Sequence, residues 1–181
     1  MPRLLLLVLL AAFLAPAPAV AQEREPSYEH TGSVGGTVSL GAELVALQRP
    51  SCATCAEAAS FSALTPFIDL GGTLAVGAGG NELALKLRLH RFTEAAGESL
   101  FFGFRTYFGK DRFKTLFAGD LQVSFRPLLA LGGRVAVGAL YELSPVLAMY
   151  SEGGVEFGIG SGKRFGGEVL IGIQGRSYLF E

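Results

Sequence analysis

The 181-residue chain is short of several things, and each shortage closes a door. It has two cysteines and two histidines. The cysteines stand as Cys52-Ala53-Thr54-Cys55, and no second C-x-x-C accompanies them. A structural zinc site wants four ligands close together, so it finds too few here. A multi-bridge disulfide scaffold is likewise excluded. Charged residues make up 17% and the formal net charge is −1, so no basic surface argues for nucleic acid. Past the first two dozen residues there is no long apolar run, and so no segment able to cross a bilayer as a helix. The connections between apolar stretches leave no room for crossover helices, which excludes a parallel α/β sheet.

The opening "MPRLLLLVLLAAFLAPAPAVAQ" has the parts of an export signal: one early Arg, an apolar core, and Ala19-Val20-Ala21 before Gln22. Pro16 and Pro18 break its apolar run, and no Cys follows the cleavage point to carry a lipid. The expected organisation is a signal peptide over 1–21, a flexible polar tail over 22–30, and one β domain over 31–181.

From residue 31 onward the hydrophobic period is two, the mark of strands with one apolar and one polar face. The alternation predicts eight strands, over 31–48, 63–78, 81–92, 99–109, 112–126, 129–143, 146–160 and 163–179. The third reads "NELALKLRLHRF", with Leu83, Leu85, Leu87 and Leu89 on one parity and Glu82, Lys86, Arg88 and His90 on the other. Phe67, Phe101, Leu140 and Leu170 break the pattern by falling on the polar parity. Short turns such as "GAGGN", "GKD", "SP" and "GSGK" join antiparallel neighbours directly, so the strands form a meander. "GSGK" lacks the spacing of a phosphate loop and reads as a hairpin turn.

Alternation alone does not say which face is outside. A soluble barrel buries its apolar face; a transmembrane barrel turns it to lipid. Four features favour lipid. The polar face is rich in Gly, Ser, Thr and Ala, as a narrow lumen requires. Its charges balance: Glu43, Asp69, Glu82, Asp120, Glu142, Glu152, Glu156 and Glu168 against Lys86, Arg88, Arg105, Lys114, Arg126, Arg134, Arg164 and Arg176. An enclosed interior favours such balance, because an unpaired buried charge is costly. The strands are longer than the usual soluble mode of about 5–6 residues. Finally, an exported chain with an apolar exterior has a destination in an outer membrane.

In strand count, alternation and loop asymmetry, the mature chain resembles the small eight-stranded outer-membrane barrels of the OmpA transmembrane-domain and OmpX type. The resemblance implies an all-β, antiparallel up-and-down transmembrane barrel in the cell outer membrane. It also implies contact with outer-membrane lipid and with the barrel-insertion machinery, and a monomer. The termini and the turns "GAGGN", "GKD" and "SP" then face the periplasm, and the long first connection faces outward. Those barrels usually end in an aromatic residue, whereas here Phe180 is penultimate and Glu181 last.

The expected function is structural, surface-interacting or narrow-channel, with a charge-paired polar lumen that includes His90. No catalytic residue, cofactor, metal or nucleic-acid partner is expected, and Cys52 and Cys55 are read as a loop disulfide, with a redox dithiol or a metal role as the lesser readings. Two alternatives stand beside it. One is a secreted, soluble, lipocalin-like barrel holding an apolar ligand. The other is an outer-membrane lipid-modifying enzyme, for which His90 is the one base available in the barrel wall.

Overall fold

The computed structural model describes residues 32–48, 59–61, 64–76, 80–90, 97–109, 112–125 and 129–179. The export signal, the tail, Cys52, Cys55, Arg126, Phe180 and Glu181 lie outside them.

Nine strands follow one another: β1 (Ser33–Gln48), β2 (Ala59–Phe61), β3 (Thr65–Ala75), β4 (Asn81–Leu89), β5 (Glu98–Phe108), β6 (Phe113–Ser124), β7 (Ala130–Ser144), β8 (Leu147–Gly160) and β9 (Lys163–Tyr178). All pairings are antiparallel; from β3 to β9 they join chain neighbours, and β3 pairs β1 past the short β2. At the seam β1 pairs β9 along its full length, from Ser33↔Tyr178 to Gln48↔Lys163. Eight strands therefore close on themselves. Closure matters because a sheet without edges leaves no unpaired backbone groups facing lipid.

The ninth strand, β2, lies within the long first connection and adds to the eight that the alternation predicts. Its origin lies in the stagger of the barrel. Register partners followed from Val38 through Leu70, Leu87, Leu100, Val123, Leu131, Ile159 and Lys163 lead back to β1 at Gln48, ten residues beyond the start. Each strand consequently leans by about 40° and gains only about 2.5 Å of height per residue. The stagger also leaves β1 projecting past the start of β3, whose pairing stops at Glu43↔Thr65. Ala59–Phe61 return to pair Ala46–Gln48 on that otherwise open edge.

The alternation survives intact. Along β4 every odd residue from Leu83 to Leu87 is exposed, while Glu82, Ala84, Lys86 and Arg88 are buried. The outer surface carries leucines, valines, isoleucines and phenylalanines on every barrel strand. On and just past β6, exposed Phe113 and Phe125 are twelve residues apart, which at that lean is about 30 Å of height, the thickness of a hydrocarbon core. Phe113 sits beside Phe108 and Tyr141 at one rim, and Phe125 shares the other with Phe157 and Phe165. Aromatic girdles of this kind mark the two bilayer interfaces. The apolar-cavity alternative requires the reverse: here the leucine row is outside and the charges are inside.

At the rim carrying the termini, the turns are short, and glycine is needed at two of them. Gly80 has φ +75° and Gly109 φ +127°, a region costly to any residue with a Cβ. We refer to this rim as the turn end. The rim bearing the 49–64 and 90–97 connections is the loop end.

Candidate functional site

The charged side chains of the interior are buried, and they sort into tiers because the stagger raises successive strands. Nearest the loop end, Arg164 donates from Nη2 to Glu43 Oε1 at 3.0 Å and from Nε to Glu156 Oε1 at 2.7 Å. Gln122 donates to the second oxygen of Glu156 at 3.1 Å, and Ser99 and Ser124 share a bond of 3.0 Å. His90 stands in this tier. Its Nδ1 faces the Gly97 carbonyl at 3.1 Å and its Nε2 faces Glu43 Oε1 at 2.9 Å.

The middle tier is built on two arginines. Arg88 clasps Asp69 through Nε at 2.8 Å and Nη2 at 2.9 Å, reaches Glu43 at 3.2 Å, and bonds Glu168 through Nη1. Arg134 takes three carboxylates at once: Asp120 at 2.7 Å, Glu152 at 2.5 Å and Glu168 at 2.5 Å. Lys86 joins Asp120 at 2.9 Å, and Arg105 joins Glu152 at 2.8 Å. The side chains of Arg134, Asp120, Glu152 and Glu168 are all 0% exposed, so no water-sized space adjoins any of them.

Toward the turn end, Arg176 binds both oxygens of Glu142 at 2.8 Å, and Lys114 reaches Glu142 at 3.2 Å. Tyr107 donates its hydroxyl to Glu82 at 3.0 Å, and Gln174 donates to Glu82 at 3.0 Å and Thr73 at 3.1 Å.

The lumen is less uniformly polar than the alternation implied. Phe67, Tyr107, Leu116, Leu140, Ala148, Tyr150 and Leu170 form a buried apolar cluster, and Phe101 is fully buried as well. Four of these are the residues that broke parity by being apolar on the polar face. They keep the strand geometry and change only what fills the space. Two glycines accommodate the rings: a Cβ on Gly41 would fall 2.3 Å from Phe67 Cζ, and one on Gly172 would fall 2.6 Å from Tyr150 Cζ. The rings also serve the charges. The Arg88 guanidinium lies 3.6 Å from the Phe67 ring centre, and that of Arg105 lies 4.9 Å from Tyr150, distances at which a cation is attracted to the ring face.

Every named lumen charge within the described residues is buried. His90 has both ring nitrogens turned to Glu43 and Gly97, with neither set against a hydroxyl as a nucleophile's base must be. Glu43, Glu156 and Glu168 bring carboxylate oxygens within 4.8 Å of one another, the one such group of metal-ligand type among the described residues. Arg88 and Arg164 already occupy the space between those oxygens, so the cluster's counter-ions are guanidinium groups. The aromatic girdles and the ring–arginine contacts were not singled out from sequence. Phe67 on the polar parity was the available clue.

An apolar exterior between two aromatic rims, a closed eight-strand ladder and a desolvated charged interior define a transmembrane β-barrel of the small outer-membrane type. The chain has the fold of the N-terminal β-barrel domain of Pseudomonas aeruginosa OprF (TM-score 0.52, 10% identity, 78% of this chain and 97% of that one). It is also similar in fold to Neisserial surface protein A (TM-score 0.55, 14% identity, 80% and 98%) and to a de novo designed transmembrane β-barrel (TM-score 0.54, 18% identity, 86% and 100%). No protein-family model and no curated protein matches the sequence.

Proposed function

We propose that this protein is a closed, non-conducting barrel of the outer membrane, exported by its N-terminal signal, which holds its loop end at the cell surface as a rigid platform. The observation that carries this reading is Arg134. Its guanidinium, on β7, meets buried carboxylate side chains from β6, β8 and β9, and so ties four consecutive strands together on the lumen side. The Arg88 fork does the same for β3, β1 and β9. Ions crossing the membrane would have to displace these pairs, and separating a buried pair costs several kcal/mol. No reaction is proposed: the His90 Nδ1 faces the Gly97 carbonyl and its Nε2 lies beside the Glu43 carboxylate.

The test is electrical. Purified protein inserted into planar bilayers is expected to show no steady conductance, while Arg134→Ala, which removes the central tie, is expected to introduce leak. Stable ion-conducting steps from the unaltered protein would overturn the closed-barrel reading and favour the narrow channel.

A further inference from the structure

At the loop-end girdle, β8 and β9 carry a cross-strand pair of exposed phenylalanines, Phe157 and Phe165. The outward row they belong to continues to Ala46 on β1 and to Gly133 on β7. Two rings of this size side by side on a pleated sheet would normally pack against each other. Here Phe157 lies the other way. A Cβ on Gly133 would come within 3.0 Å of Phe157 Cζ and 3.2 Å of Cε1, so the ring rests on the bare backbone of β7. On the far side of Phe165 stands Ala46, which fills little space. The result is a cleft of about 370 Å³ lined chiefly by apolar atoms, with Ile159 and Lys163, themselves register partners, at its upper edge.

From this we infer that the cleft is a binding site for one membrane lipid whose phosphate headgroup carries a net negative charge. Its acyl chain would lie between Phe157 and Phe165 against Ala46, and the headgroup would be held by the Lys163 ammonium. Both chemistries are in place. The rings sit at the height of the bilayer interface, and Lys163 is an exposed cation on the first residue of β9, just above the girdle. Its neighbour Arg164 is turned inward and engaged by Glu43 and Glu156, which leaves Lys163 as the charge presented to a headgroup. The inference rests on the membrane reading above and deepens it by naming a lipid class and a place.

The test uses the whole mature protein refolded into vesicles of equal parts phosphatidylglycerol and phosphatidylcholine. The protein is then transferred to detergent, and retained lipids are counted by native mass spectrometry. Phosphatidylglycerol is expected to be retained about fivefold over phosphatidylcholine, the preference that one lysine near a membrane surface supplies. Lys163→Glu should abolish the preference, and Ala46→Phe, which fills the cleft from a lipid-facing position, should abolish retention. Equal retention of the two lipids, or unchanged retention in Ala46→Phe, overturns the site while leaving a folded barrel. A sample whose gel mobility does not change on boiling overturns the membrane reading, and the lipid site with it.

Discussion

Arg88 and Asp69 are register partners on β4 and β3, and they meet inside the barrel through two parallel bonds of 2.8 and 2.9 Å, with the Phe67 ring 3.6 Å from the guanidinium. Neighbouring wall residues thus make a flat, two-point clasp that an aromatic face supports from one side. Only a planar fork does both things. Arg88→Lys keeps the charge and is nonetheless expected to destabilise the barrel by about 1.5–3 kcal/mol, the range for hydrogen bonds to charged groups. Denaturant titration in lipid vesicles measures this directly, and a loss below the error of the titration would mean that charge alone matters here.

The two faces of the same strand make opposite predictions. Leu87 is outside, one residue from Arg88, and its neighbours across the ladder are Leu70 and Leu100. Leu87→Arg puts a cation into hydrocarbon and should cost about 2–4 kcal/mol near mid-bilayer. The same titration reports it, and a neutral outcome would remove Leu87 from the lipid face.

Arg134 separates a missing partner from a missing pair. Arg134→Met alone leaves Asp120, Glu152 and Glu168 short of a counter-charge, and loss of one member of a buried ionic group typically costs about 3–5 kcal/mol. Adding Glu152→Gln to that variant removes one of the orphaned charges and is expected to restore part of the stability. A double variant as unstable as the sum of its singles would show that the two side chains act independently.

Glycines divide by what faces them. Gly41 lies beneath Phe67, with 2.3 Å between an added Cβ and the ring, whereas a Cβ on Gly119 meets nothing within 4 Å. Gly41→Ala should therefore destabilise by about 1–3 kcal/mol through overpacking. Gly119→Ala should be neutral or slightly stabilising, because alanine restricts the unfolded chain. Comparable losses at both positions would mean that the ring does not set the requirement.

Much of the architecture is legible from alternation. The third strand illustrates why: Leu83, Leu85 and Leu87 repeat with period two and nothing else in the segment competes, so faces and strand identity follow. The same reasoning does not find β2, because three residues hold no period, and their pairing exists only once β1 projects past β3. Phe67 and Leu140 are visible as exceptions to parity. That they join Tyr107, Leu116 and Tyr150 in one buried cluster depends on the register that brings five different strands together.

What the sequence by itself determined is local: where strands run, which residues share a side, and that the charges on one side nearly cancel. These properties depend on the pleat, which turns successive residues to opposite faces whatever the partner strand. What only the tertiary structure decided is who meets whom. Closure with a ten-residue stagger brings Arg88 to Glu168, 80 residues on, and Glu43 to Arg164, 121 residues on. A shift of two residues at any ladder would keep every face as it is and change those encounters, because register is a property of pairs of strands, and alternation is a property of one.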